Sequence, residues 1–335
     1  MEVPCIAVPR ADGEESRQAL ATAGVLDDDH QIVVDDETLY IPVTDPTAVP
    51  DRFETTIREL PARQTVQTPA DILGYEPSLE RLGDVVIVDE DDSDRADEIA
   101  AAVMASDLPV RSVLNRASKI KGELRVRDWE LLAEREDPDT DRSPTETVHR
   151  EYGHEFLLDL AAVYFSPRLA TERHRVVDQI EADERVLDMF AGVGPFAIPA
   201  ASRGAEVVAV DLNETAIDYL RENARRNGVS ECITAVSGDV RAVADDYHGW
   251  ADRLVMNLPH SAGEFLETAV DLAGEECVLH YYDIQHDSDP FGPGIEAIRA
   301  AAEPEYDVGV ETEHVVRSYA PHELNVCLDV RLTRS

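Results

Sequence analysis

The sequence predicts an α/β fold: a Rossmann-like parallel sheet with helices on both faces, preceded by two smaller N-terminal α+β domains. Three observations carry the prediction. From about Glu151 onwards, short apolar strands alternate with helix-length segments, the pattern of a doubly covered parallel sheet. Two strand-like segments with no helix between them end the chain and add an antiparallel hairpin to that sheet. Ahead of Glu151, proline-rich sequence separates two further blocks. A chain of 335 residues can build two or three domains with cores of their own. The predicted division is 1–62, 66–150 and 151–335.

In the first domain, Ser16 to Gly24 is expected to form a short helix. Gln31–Val34 and Thr38–Val43 form two strands around the turn Asp35-Asp36-Glu37. Pro42, Pro46 and Pro50 follow, and the stretch to Pro69 is assigned as linker. In the second domain, Gly83 precedes a buried strand, Val85–Val88, and Ser93 caps a helix reaching Met104 with acids in its first turns. Strands are expected at Val110–Leu114, Gly122–Arg127 and Thr147–Arg150, with a charged loop at Arg135–Pro144. In the third, the strands are Arg185–Met189, Glu206–Val210, Ile233–Val236, Arg253–Met256 and Cys277–Tyr282. Helices lie between them at Pro195–Ser202, Glu214–Asn227, Ala262–Ala273 and Ile295–Ala302. The closing pair lies near Val308–Glu313 and Leu324–Leu332.

Asp and Glu number 70 against 30 Lys and Arg, a formal net charge of −40. With 43% apolar residues, this is a folding chain and not an acidic disordered tail. Taken alone, the charge argues against nucleic acid, whose phosphates call for a basic surface. But the acid is spread along the whole chain, and only Lys119 and Lys121 are lysines. That balance predicts a halophilic protein. In molar salt the Debye length falls to ~3 Å and self-repulsion becomes tolerable. The sequence has no secretory leader and no apolar run near the ~20 residues a membrane crossing needs. A cytoplasmic protein with no membrane partner is expected. Cys5, Cys232, Cys277 and Cys327 are far apart, which predicts free thiols and no metal site.

Four motifs carry chemistry. The strand Val186-Leu-Asp188 enters a turn with Gly192 and Gly194, and Pro195 stands in the first turn of the next helix. These glycines let backbone approach a ligand at the carboxyl edge of the sheet. Asp211 ends the next strand, 23 residues after Asp188, with Leu212 beside it. An acid there can accept both hydroxyls of a ribose. Ser237-Gly238-Asp239-Val240 follows the third strand, where Asp239 can accept from an adenine amine and Val240 can offer its backbone. Asn257-Leu258-Pro259 follows the fourth. Four such ends in register predict a site for S-adenosyl-L-methionine. Asn257-Leu258-Pro259-His260 lacks the aromatic residue found in many amino-methyltransferases at this point.

Further motifs carry a resemblance. They are Val163-Tyr-Phe-Ser-Pro-Arg-Leu-Ala-Thr-Glu-Arg173, Met189-Phe-Ala-Gly-Val-Gly-Pro-Phe196, Asn257-Leu-Pro259, His280-Tyr-Tyr282 and Ser318-Tyr-Ala-Pro321. Together they resemble the archaeal and eukaryal tRNA (guanine-37-N1)-methyltransferases, from about Leu82 to the end of the chain. The N-terminal unit is similar to the extra domain of archaeal three-domain members. The resemblance implies Glu172 as general base, Arg125 as catalytic arginine and Asn257 as active-site asparagine. It implies Arg173, Phe190, Asp211 and Asp239 as cofactor contacts. It implies a monomer that holds the anticodon loop of tRNA with its later domains and its folded core with the first. N1 of guanine is protonated at neutral pH, so a carboxylate to remove that proton and a cation near O6 suit the reaction. No metal is needed for transfer from a sulfonium.

One stretch departs from the acidic background. Between Arg111 and Arg127, six cations (Arg111, Arg116, Lys119, Lys121, Arg125 and Arg127) face one acid, Glu123. With Arg168, it is taken as a phosphate-contacting surface. Plainer readings stand beside these roles. Glu172 is three residues from Arg175 and four from Arg168, spacings of helix ion pairs. Arg125 and Arg127 alternate as on a solvent-facing strand, and each acid at a strand end could cap a helix. The rival functions are the sister family's aminocarboxypropyl transfer, an added C7 methylation in wyosine synthesis, and a tRNA-binding protein without catalysis.

Overall fold

The computed structural model describes residues 2–63, 66–119, 121–135 and 141–335. It forms two compact units, Met1–Thr68 and Pro69–Ser335. The first is an antiparallel sheet of β1 (Glu2–Pro9), β2 (Val33–Asp35), β3 (Thr38–Pro42) and β4 (Thr55–Glu59), in the order β2-β3-β1-β4. Helix α1 (Gly13–Thr22) covers it through Leu20, which packs with Ile6, Ile41 and Val43. The assigned linker therefore contains a strand. In β4, four of five residues are exposed and only β1 pairs with it, so no apolar pattern marks it in the sequence.

The second unit opens with α2 (Pro69–Leu73) and a sheet of β5 (Leu79–Leu82), β6 (Val85–Val88), β7 (Ser112–Arg116) and β8 (Trp129–Glu134). Helix α3 (Ser93–Ala105) packs on it and is capped by Asp92, whose carboxylate accepts from the Asp94 and Arg95 amides. The cap is thus one residue earlier than Ser93. The strand expected at Gly122–Arg127 is instead a turn. Gly122 has φ +63° and Arg125 φ +56°, and the Arg125 amide donates to the Gly122 carbonyl. The hairpin of β9 (Glu146–Glu151) and β10 (His154–Asp159) runs through residue 150. Its Phe156 and Leu158 share one core with Leu82 and Leu114 on one side and Val186 and Phe196 on the other. The centre of the Arg135–Pro144 loop lies outside the described residues.

After α4 (Ala170–Val177) come β11 (Arg185–Asp188), α5 (Ala197–Ser202), β12 (Glu206–Asp211), α6 (Glu214–Arg226), β13 (Ile233–Ser237) and α7 (Val240–Val243). Then follow β14 (Ala251–Met256), α8 (Leu266–Leu272), β15 (Ala273–His286), α9 (Gly292–Ala302), β16 (Tyr306–Ala320) and β17 (Glu323–Arg334). The strand order is β13-β12-β11-β14-β15-β17-β16. The first five strands in that order are parallel, and β17 and β16 are antiparallel additions. The outermost strand, β16, exposes Asp307, Glu311 and Glu313, and its register with β17 breaks at three places. The carboxyl ends of β11 to β15 all open on one edge, which positions the site.

Candidate active site

The glycine turn follows β11 as expected. Gly192 has φ +53° and Gly194 φ +90°. A Cβ at Gly194 would lie 3.0 Å from Ile198 and 3.2 Å from Leu220, so only glycine fits there. The Gly192 amide donates to Asp211 Oδ2 at 2.7 Å, and the Asn213 amide to Oδ1 at 2.8 Å. Asp188 is buried. The Phe190 amide reaches its Oδ1 at 3.3 Å, while Oδ2 has no hydrogen-bond partner among the described residues. Burial, with the nearby Asp211, pushes the Asp188 carboxyl up to about 7, and burial also raises Asp211.

Around this turn, Phe190 meets Phe265 edge-on at 5.0 Å, Leu212 is half exposed and Val240 is buried. Asp239 caps α7 and takes both arms of Arg241, at 2.5 and 3.0 Å, which hold its carboxyl below the usual range. Its role as a helix cap is therefore present in the fold. The buried Asp188, with one oxygen unmatched among the described residues, and the partly buried Asp211 leave this end of the sheet short of positive charge. A cationic nucleoside supplies that charge, and its ribose hydroxyls supply donors, so the residues fit S-adenosyl-L-methionine.

Glu172 lies on α4, 5% exposed, and its carboxylate is fully engaged. Arg175 donates to both oxygens at 2.8 Å, and the Tyr282 hydroxyl donates to Oε1 at 2.8 Å. His314 Nε2 lies 3.2 Å from Oε2. Arg175 also reaches Asp329 at 2.5 and 3.1 Å. Asp329 Oδ1 sits 2.7 Å from His280 Nδ1, and Arg253 donates to His280 Nε2 at 2.7 Å. Because arginine only donates, His280 Nε2 is the acceptor and Nδ1–H serves Asp329. Burial alone would raise Asp329, but His280 and Arg175 hold its carboxyl far below the ordinary value. The three-residue helix pair of Glu172 is thus real, and it belongs to a larger buried network. Met256 is in register with Tyr281, so Tyr282 stands level with Asn257 at the carboxyl edge.

Arg173 is buried and does not present a free charge. It grips Glu151 at 2.5 and 2.8 Å and the Ser166 carbonyl at 3.1 Å, with Phe165 under its guanidinium. It fixes the loop from Val163 to Pro167. That loop walls a cleft of about 290 Å³ whose lining includes Arg116, Arg125, Arg127, Arg168 and Arg317. Arg125 lies 5.1 Å over the Tyr164 ring, and its buried Nε has no hydrogen-bond partner among the described residues. The same loop reaches the glycine turn. The Tyr164 carbonyl would lie 3.9 Å from a Cβ at Gly192, and Asn213 Nδ2 donates to the Ala162 carbonyl at 2.8 Å.

The cationic stretch is less basic in space than in sequence. Arg111 is a correction: it is 6% exposed, pairs with Glu134 at 2.9 Å and donates to the Ser143 and Glu146 carbonyls, so no phosphate can reach it. Arg116 pairs with Glu80 and Asp89, Lys121 with Asp128, and Arg168 with Glu80. Lys119 is exposed, and Arg127 lies over Trp129 at 5.5 Å. Residues that the sequence reading missed complete the site. Arg317 has a buried Nε with no hydrogen-bond partner among the described residues. The Tyr319 hydroxyl on β16 lies 3.1 Å from His260 Nε2, which brings an aromatic ring beside the Asn257-Leu-Pro-His run from elsewhere in the chain. Arg317 and Tyr319 flank Ser318 of the quoted Ser-Tyr-Ala-Pro run, which was their only signal.

Three family models match the chain. Residues 147–311 match the TRM5/TYW2 methyltransferase domain, 5–51 the tRNA methyltransferase 5 N-terminal domain, and 68–136 the TYW2 N-terminal domain. The tRNA (guanine(37)-N(1))-methyltransferase Trm5b of Pyrococcus abyssi is 37% identical over 98% of both chains. Its crystal structure covers 99% of both with a TM-score of 0.69. The complex of aTrm5 with tRNALeu matches at 31% identity and TM-score 0.73, over 98% of this chain and 99% of that one. The Methanocaldococcus jannaschii TYW2 complex with AdoMet is more distant, at 26% identity and TM-score 0.61, with 77% of this chain covering 100% of that one. The chain belongs to the tRNA (guanine-37-N1)-methyltransferase family.

Proposed function

We propose that this protein transfers the methyl group of S-adenosyl-L-methionine to N1 of guanosine 37 in tRNA. The observation that carries the reading is the Tyr164 loop, which has Arg125 over its ring and the Gly192 turn beside its carbonyl. One short segment thereby joins an arginine-lined cleft to the cofactor pocket. The bound cofactor supplies an electrophilic methyl on a sulfonium. Asp188, Asp211, Gly192, Gly194 and Leu212 hold its charge and ribose, and Phe190, Asp239 and Val240 hold its base. Arg173 acts on the pocket by fixing the loop.

Glu172 takes the N1 proton, and Arg125 meets the negative charge that then grows on O6. Asn257, level with Tyr282, orients the guanine edge. Arg127, Arg317, Lys119 and Arg168 receive phosphates, and an unpaired loop base can be splayed into the cleft. Residues 66–150 act as the RNA-binding domain beside the catalytic stretch 151–335, and residues 1–62 inspect the folded core of the tRNA. The acidic surface suits a monomer working in the salt-rich cytoplasm of a halophilic archaeon. No helix among the described residues is long and apolar enough to cross a membrane.

The test is labelled S-adenosyl-L-methionine with guanosine-37 and adenosine-37 transcripts in high KCl, followed by nucleoside mass spectrometry. Methylguanosine from the first transcript only is the expected result, and an aminocarboxypropyl product overturns the reading. Arg125→Ala is expected to slow single-turnover transfer at least tenfold, while calorimetric cofactor affinity stays within about twofold.

A further inference from the structure

A base must lose the proton it takes before the next turnover, and Glu172 is badly placed to do so alone. Its carboxylate is 5% exposed. Arg175, between Glu172 and Asp329, carries no acceptor and keeps its charge. Tyr282 is buried, already donates to Oε1, and burial raises its hydroxyl well above the ordinary value. His314 differs from both. It comes from β16, opposite Cys327 on β17, and its ring is 39% exposed while Nε2 stands 3.2 Å from Glu172 Oε2. It is the neighbour that spans from the buried carboxylate to solvent, and imidazole is the side chain suited to passing protons near neutral pH.

We infer that His314 carries the substrate proton from Glu172 to solvent. The inference rests on Glu172 being the base. The N1–H bond breaks, its electron pair stays on N1, and the proton goes to Glu172. N1 forms the bond to the methyl carbon, whose bond to sulfur breaks with its pair left on a neutral thioether. Glu172 then gives its proton to the Nε2 lone pair of His314, the imidazolium loses the Nδ1 proton to water, and exchange of the ring proton from Nε2 to Nδ1 through solvent restores the acceptor for the next turnover. The balance is one methylguanosine, one thioether and one released proton. His314 acts through Glu172 and is a positioning and relay residue, with no role in contacting the guanine.

The experiment uses full-length protein, guanosine-37 transcript and S-adenosyl-L-methionine in high KCl. His314→Ala is expected to slow steady-state methylation roughly tenfold or more, as loss of a proton-transfer partner does. Added free imidazole should restore the rate in proportion to its concentration. His314→Gln should be equally slow and unresponsive, because its amide fills the space. Calorimetric cofactor binding at the parent affinity shows that both variants are folded. Parental rates in His314→Ala overturn the inference, and so does a slow His314→Ala that imidazole does not rescue. Glu172→Gln is run alongside. If it methylates like the parent, the base assignment fails and takes the relay with it. If it is inactive while His314→Ala is normal, only the relay fails.

Discussion

Asp188 keeps its proton at a pH where most carboxyls have lost theirs, because burial and Asp211 both oppose its charge. Its folded value, about 7, lies above the unfolded one, so the folded state binds more protons across the window between them. Without cofactor, stability therefore falls as pH rises from the ordinary carboxylate range through neutrality. A cationic cofactor reverses the preference, since it favours the ionised carboxylate. Calorimetric affinity for S-adenosyl-L-methionine should rise severalfold between about pH 6 and pH 8. In Asp188→Asn that rise should be absent. Equal slopes in parent and variant would remove Asp188 from the pocket. Asp188 was legible in sequence because its neighbours are local. The surroundings of Glu172 were not, because Tyr282 and Asp329 lie more than a hundred residues further along the chain. For the same reason the cationic run looked bare. Its counter-charges, Glu80, Asp84 and Asp89, come from other strands and loops.

At the scale of elements, α4 is fastened to the sheet by charge as well as by apolar packing. Arg175 joins Glu172 on α4 to Asp329 on β17, and Asp329 continues to His280 on β15. Removing one member leaves buried charge unmatched, which costs about 3–5 kcal/mol. Asp329→Ala should lose stability of that order in denaturant unfolding at fixed KCl, and a loss below about 1 kcal/mol would show that the network is replaceable. The four inner parallel strands were readable from sequence because burial on both faces gives them short apolar runs, and the edge strand β13 was readable from Ile233, Ala235 and Val236 despite its partial exposure. Strands β1, β4, β5, β8 and β10 were not assigned. β1 and β5 mix buried with exposed residues, β4 is nearly all exposed, β8 mixes intermediate with exposed residues and β10 is mostly of intermediate burial, so none has the continuous burial of those inner strands. The turn holding Arg125 was mistaken for a strand because alternating polar residues mimic one, and the positive φ at Gly122 and Arg125 decides otherwise.

For the whole molecule, the charge of −40 leaves few cations for the proposed phosphate contacts, and Arg168 among them is shared with Glu80. If Lys119, Arg127, Arg168 and Arg317 make the phosphate contacts, log affinity for tRNA should fall against log salt with a slope no steeper than about −3 to −4. Filter binding across a KCl series measures it, and a slope twice as steep would point to a basic surface that this fold does not have. The same charge sets the stability. Midpoints of thermal unfolding should climb steadily from dilute buffer into molar KCl as self-repulsion is screened.

Strand β16 carries a second consequence of that salt. Among the described residues no strand pairs with its outer edge, so this strand of 15 residues offers a hydrogen-bonding ladder on which another copy could grow. In dilute buffer, Asp307, Glu311 and Glu313 would meet their own counterparts and be repelled. In molar salt that repulsion reaches only ~3 Å, so the electrostatic guard against self-association is weakest under the conditions in which the fold is predicted to gain stability. The three register breaks against β17 remain whatever the ionic strength, and they bend the strand away from a straight template. In brine, the shape of this edge protects the molecule more than its charge does.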